Sequence, residues 1–128
     1  MKNLQKEYGL YINGKWQPAS DGATFKTYSP ATGEELAVCA EATREDVDAA
    51  VKAAHAAWES WKNTTPVERA VILNKIADII DANAQHLAEV ESLDNGKPIR
   101  ETSMIDIPMS ADHFRYFAAA IRTEEGTA

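Results

Sequence analysis

Cysteine is nearly missing from this sequence; Cys39 stands alone. That excludes a disulfide framework within the chain and a zinc site built from several cysteines. Basic side chains are outnumbered, with 13 Lys and Arg against 20 Asp and Glu and a formal charge of -7. A nucleic-acid or anionic-membrane binder needs basic patches, and this balance does not supply them. Glycine is scarce, and Gly9, Gly14, Gly22, Gly33, Gly96 and Gly126 all fall at turn signals or near the ends. None opens a helix after a strand in the spacing that cradles a dinucleotide. No apolar run approaches the length of a bilayer span. The start carries Lys2, Lys6 and Glu7 and does not read as a secretory signal, so a cytoplasmic location is the expectation. Leu, Ile, Val and Phe together make only 24 of 128 residues, about 19%. A core drawn from so few is thin for one domain, and two ordinary domains do not fit this length.

Alanine is what the chain has in quantity, with 22 residues. The first forty residues read as strands and turns. Leu10-Tyr11-Ile12 and Lys15-Trp16-Gln17 flank Asn13-Gly14, the strongest short hairpin signal, because a type I′ turn needs positive φ at both central residues. Thr24 to Tyr28 is a second β-prone run, Ser29 to Gly33 a turn, and Leu36 to Ala40 a third strand. From Thr43 the period becomes helical. Thr43 and Asp46 predict a capping box, and Val47, Ala50, Val51, Ala54, Trp58 and Trp61 form one stripe. Thr65-Pro66-Val67-Glu68 starts a second helix, with a stripe through Val71 or Ile72, Ile76, Ile79 and Ile80. Asn83 begins a third, facing inward with Leu87, Val90 and Leu93 and closed by Asn95-Gly96-Lys97-Pro98. A last helical stretch runs through Met104, Ile107, Phe114, Phe117 and Ile121, bent near Pro108. The expected organisation is a flexible start over 1–7, a hairpin region over 10–40, helices over 44–122 and a tail over 123–128.

Residues that carry chemistry are few. Cys39 sits between Val38 and Ala40 and reads as a small buried strand residue rather than a nucleophile. His55, His86 and His113 have no metal spacing, and the first two read as surface or boundary residues of Ala-rich helices. The helical spacing of Trp58, Trp61, Phe114, Tyr116 and Phe117 fits core packing better than an aromatic binding face. The carboxylates are scattered at helix starts and on polar faces, with no pair set apart for acid/base work.

The order of motifs is distinctive. Tyr11-Ile12-Asn13-Gly14-Lys15-Trp16 resembles the opening hairpin of the aldehyde dehydrogenase superfamily. Ser29-Pro30-Ala31-Thr32-Gly33-Glu34 resembles its N-P-A-T-G-E turn, with Ser for Asn. Residues 42–51 with Ala56-Ala57-Trp58 resemble its first helix, and Pro66-Val67-Glu68-Arg69-Ala70 its P-x-E-R helix. Glu91 to Pro98 resembles the E-x-x-D-x-G-K-P segment, and Phe114 to Ala118 the helix after it. The resemblance covers residues 8–122. It implies an α/β parent fold, of which this chain is the N-terminal part of the Rossmann-like cofactor domain. The chain alone is then α+β, a β-hairpin or meander followed by four or five helices.

That family oxidises aldehydes to carboxylic acids with NAD or NADP, through a cysteine nucleophile and an oxyanion-stabilising Asn. The resemblance places all of these in later segments, together with the acidic residue that distinguishes NAD from NADP and most of the residues that select the aldehyde. It therefore implies no catalytic and no dinucleotide-binding residue here, and a chain that is inactive alone, as an expressed fragment or truncated product. One site carries over: a monovalent cation on the backbone carbonyls of Thr27 and Tyr28 and on Asp94. A hard cation wants such oxygen ligands; the plainer reading is that Asp94 ends a helix and bonds to turn amides. The expected partner is the remainder of an aldehyde dehydrogenase chain, with self-association through uncovered apolar helix faces and an oligomeric parent. Two other readings stand beside this one, a stand-alone helical interaction module and a remnant that associates with a full-length relative.

Overall fold

The computed structural model of the protein describes residues 4–123. The chain divides into two compact units, 1–63 and 64–128.

The first unit holds five strands and one helix. Strand β1 is Glu7–Tyr8, β2 Leu10–Ile12, β3 Lys15–Gln17, β4 Thr24–Tyr28 and β5 Glu35–Ala40, and helix α1 is Arg44–Trp61. Strands β2 and β3 form the anticipated hairpin, pairing Leu10 with Gln17, Tyr11 with Trp16 and Ile12 with Lys15. Asn13 at φ 51° and Gly14 at φ 76° supply the two positive angles the turn needs. The Tyr11 and Trp16 rings lie 5.0 Å apart, a cross-strand aromatic pair. A second sheet has the order β1-β5-β4. Strand β5 is central, antiparallel to β4 and parallel to β1, and its Ala37 is buried. Strand β1 carries no sequence signal, being two residues long. Its pairs, Glu7 with Val38 and Tyr8 with Cys39, extend order into the segment expected to be flexible; of that segment, residues 1–3 lie outside the described ones. A Cβ at Gly9 would stand 2.7 Å from the Gln17 carbonyl oxygen, so only glycine lets these backbones approach.

The second unit is helical. Helix α2 is Pro66–Ala82, α3 Ala84–Asn95, α4 Ile99–Glu101 and α5 Ile107–Ala120, with a π-helical turn at Thr102–Asp106 between α4 and α5. Helix α2 packs mainly on α5, and α3 on the π turn. Among the described residues of this unit, the buried apolar side chains are alanines with one exception: Ala70 and Ala77 on α2, Ala88 on α3, and Ala111 and Ala118 beside Ile107 on α5. Helix α3 ends where expected, with Gly96 in the left-handed conformation at φ 79°. The irregularity expected near Pro108 is the π turn just before it. Pro108 itself occupies the first turn of α5, where a missing N–H is tolerated. Of the expected tail, residues 124–128 lie outside the described ones.

One expectation is corrected. Trp58, Trp61, Tyr116 and Phe117 are exposed, and Phe114 is half-buried. Val71, Ile72 and Ile79 of the α2 stripe are exposed too. Periodicity marks an apolar stripe but does not say what covers it. Here alanines occupy the lines of contact, and the large side chains fall beside them. Cys39 is half-buried rather than buried. Among the described residues no helix is long and apolar enough to cross a membrane.

Candidate functional site

Three groups of polar contacts stand out, two of them local and the third spread over the helical unit. The first gathers at the start of α1. Thr43 accepts the Asp46 amide through Oγ1 at 3.2 Å, and Asp46 Oδ2 accepts the Thr43 amide at 2.9 Å, a reciprocal capping box. The β3–β4 connection joins it. The Ser20 amide donates to Asp46 Oδ2 at 3.1 Å, and the Ser20 and Thr43 hydroxyls meet at 2.8 Å. Asp46 is buried. The amides of Thr43 and then Ser20 hold its carboxyl below the usual aspartate range, against the opposing effect of burial. Helix α2 repeats the box in a simpler form. Glu68 accepts the Thr65 amide at 2.7 Å, and this bond lowers its pKa.

The second cluster is the turn after β4. Ser29 is buried, and its carbonyl accepts the Gly33 amide at 2.8 Å while its amide donates to Glu34 O at 2.9 Å. Its Oγ lies 3.4 Å from the Thr32 amide, so Ser supplies the side-chain acceptor that an Asn would place in such a turn. Of the expected cation ligands, Thr27 and Tyr28 stand here, at the end of β4 where the ladder with β5 shifts register.

The third cluster is in the helical unit. Asp94 lies in the last turn of α3, exposed. Lys97, just past Gly96, donates to Asp106 of the π turn, and that bond raises its pKa. Thr102 is fully buried there, its Oγ1 3.0 Å from Ala88 O and 3.2 Å from Ile99 O. Arg115 of α5 reaches Asp78 at 2.9 Å and Asp81 at 2.6 Å on α2, and these two carboxylates raise its pKa, Asp81 more.

Thr27 and Tyr28 thus belong to one unit and Asp94 to the other. His55 and His113 are exposed and His86 half-buried. Among the described residues no group of three or more His, Cys, Asp and Glu side chains could hold a metal ion. The polar contacts of the Ser20, Lys97, Thr102 and Arg115 side chains had no reading from the sequence. Only the Asp78 and Asp81 pair, one helical turn apart, offered a signal, and it needed an Arg from an element 34 residues away.

The chain matches the aldehyde dehydrogenase family over residues 16–128. It is 52% identical to an aldehyde dehydrogenase of Rhodospirillum rubrum, covering 97% of this chain and 24% of that one. It is 49% identical to an acetaldehyde dehydrogenase 2 of Cupriavidus necator, over 95% of this chain and 24% of the relative. The structure superposes on the NAD+ complex of an aldehyde dehydrogenase from Bacillus cereus with a TM-score of 0.92 and 44% identity, covering 97% of this chain and 26% of that one. The chain spans about a quarter of the length of the curated relatives it matches, and it matches their N-terminal portion. With six motifs in order, the family match and the superposed backbone in agreement, this chain belongs to the aldehyde dehydrogenase family.

Proposed function

We propose that the chain serves as the N-terminal segment of an NAD-dependent aldehyde dehydrogenase, which as a whole oxidises an aldehyde to a carboxylic acid. The observation that carries this is the likeness, over nearly the whole chain, to an enzyme solved with NAD+. In this reading the segment alone is catalytically silent and binds no dinucleotide. Supporting that, the starts of its two longest helices are closed by capping boxes. A nucleotide phosphate wants free amides at a helix start, but Thr43 and Thr65 cap these helices, each accepting the N3 amide, and the Asp46 and Glu68 carboxylates close the two boxes with negative charge. Cys39 is half-buried on the central strand β5, where its ladder partners are Tyr8 and Phe25, and a thiol nucleophile wants a base beside it. The monovalent cation on the Thr27 and Tyr28 carbonyls and Asp94 is part of the same reading, supported in the first unit by the ladder shift at Thr27 and Tyr28. So is a cytoplasmic location, supported by the single cysteine.

A chimera tests the proposal. These residues, placed in the Rhodospirillum rubrum relative in exchange for the matching segment, should leave a folded enzyme that reduces NAD+ with an aldehyde. A folded but inactive chimera counts against the proposal. Calorimetry of the chain alone should show no NAD+ binding, and saturable binding would overturn the silent-segment reading.

The proposed partner is the rest of such a chain. What supports it is the row of exposed large apolar side chains on the helical unit, Val71, Ile79, Met104, Met109 and Phe117 among them. Alone, the chain should associate with itself or bind a hydrophobic dye.

A further inference from the structure

The sequence holds two Asn-Gly pairs, Asn13-Gly14 and Asn95-Gly96. Asn-Gly is the dipeptide most open to intramolecular loss of the side-chain amide, because glycine leaves the following backbone nitrogen uncrowded. All four residues are exposed, so exposure does not separate the pairs. Hydrogen bonding does. At the end of α3 the Gly96 amide donates to Ser92 O at 3.1 Å, which occupies the nitrogen that would attack. The Asn95 side chain is held on both sides. Its Oδ1 accepts the Lys97 amide at 2.8 Å, and its Nδ2 lies 3.3 Å from Glu91 Oε1.

The hairpin tip has none of this restraint. Its ladder closes at Ile12 and Lys15, which leaves the Gly14 amide outside the paired residues. Among the described residues the Asn13 side chain makes no hydrogen bond. Apart from Gly14 itself and its two chain neighbours, no heavy atom lies within 4 Å of where a Gly14 Cβ would stand. Strands β2 and β3 form a sheet of their own with three residue pairs, the kind of element that opens locally at little free-energy cost.

We propose that Asn13 is a site of spontaneous deamidation and isoaspartate formation, and that Asn95 is protected. Hydroxide removes the Gly14 amide proton, and the nitrogen attacks Asn13 Cγ. The new C–N bond closes a succinimide while the Cγ–Nδ2 bond breaks and ammonia leaves with a proton from water. Water then opens the ring at one of its two carbonyls. One opening yields Asp and the other isoaspartate; no electron donor or acceptor takes part. Either product adds a negative charge to a chain at -7. Isoaspartate also routes the backbone through the former side chain, so a two-residue I′ turn no longer fits and the Tyr11–Trp16 pair loosens.

The test is incubation of the folded full chain in mildly alkaline buffer, followed by peptide mapping with mass spectrometry and an isoaspartate-specific methyltransferase assay. Amide loss at Asn13 should run about tenfold or more faster than at Asn95, the factor expected from one hydrogen bond on the attacking nitrogen. In concentrated urea the two rates should converge, which assigns the difference to the fold. Equal rates in the folded chain, faster loss at Asn95, or no loss at Asn13 would each overturn the proposal. An Asn13→Asp variant keeps the turn chemistry and should show no amide loss in the hairpin peptide.

Discussion

The strand-rich unit and the helical unit are held together by different means. In the first, one buried carboxylate, Asp46, gathers amides and hydroxyls from its own helix start and from Ser20, 26 residues earlier. In the second, alanines at the helix contacts are buried almost completely, with Ala77 and Ala88 at 0% exposure. A satisfied polar tie is directional and depends on charge state, whereas close packing of small side chains depends on volume. The two units should therefore fail for different reasons. They can also be read apart, because Trp16, Trp58 and Trp61 all belong to the first.

The largest effect should come from volume. Ala77→Leu forces a branched side chain into a line of contact without space and should lower the stability of the helical unit by about 3 kcal/mol. Hydrogen exchange read peptide by peptide should show the loss in residues 64–123 while tryptophan fluorescence changes little. Unchanged exchange there would mean that α2 and α5 are not locked by alanine packing. Next is Gly9→Ala, whose new methyl meets a backbone carbonyl and should cost about 2 kcal/mol in the strand-rich unit alone. Here the fluorescence transition should shift and exchange in the helices should stay put; the reverse would erase the division between the units.

A smaller effect at neutral pH, and the most diagnostic in acid, belongs to Asp46→Asn. The folded carboxyl lies below its ordinary value of 3.8. Its contribution is therefore complete above that value and fades as pH falls through the lower folded value. Wild-type protein should lose fluorescence-detected structure in strong acid, and the variant should lose that part of the pH dependence. Glu68 has the same sign, but its carboxylate is lowered by Thr65 alone, so Glu68→Gln should alter the acid response of the helical unit less. Identical acid profiles for both variants would remove the contrast between a tie across elements and a purely local cap.

Legibility in the sequence depended on range. The I′ turn, both capping boxes and the glycine stop at Gly96 are demands that a few adjacent residues place on their own backbone, and they were read correctly. Strand β1 was invisible because two residues have no period and their partner lies about thirty positions on. Ser20 was missed for the same reason. The exposed aromatics show a different limit, since periodicity finds a face and cannot supply what lies against it. Thr27 and Tyr28 would act through carbonyls, which every residue has, so their candidacy came from the family resemblance and not from side-chain type.

The π turn at Thr102–Asp106 sets a phase. One residue beyond the α-helical count delays the spiral by about 100°, so the residues on its two sides are aimed by separate settings. Thr102 can turn to α3 while Ile107 and Ala111, past the turn, are buried on α5, the helix that packs on α2. Removing one residue from this turn would restore an ordinary helix and swing every later side chain of α5 off its alanine line. Arg115 would swing away from Asp78 and Asp81 with them. Substitutions within the turn change chemistry at one point, but a change in its length dials the rest of the helix to a new face.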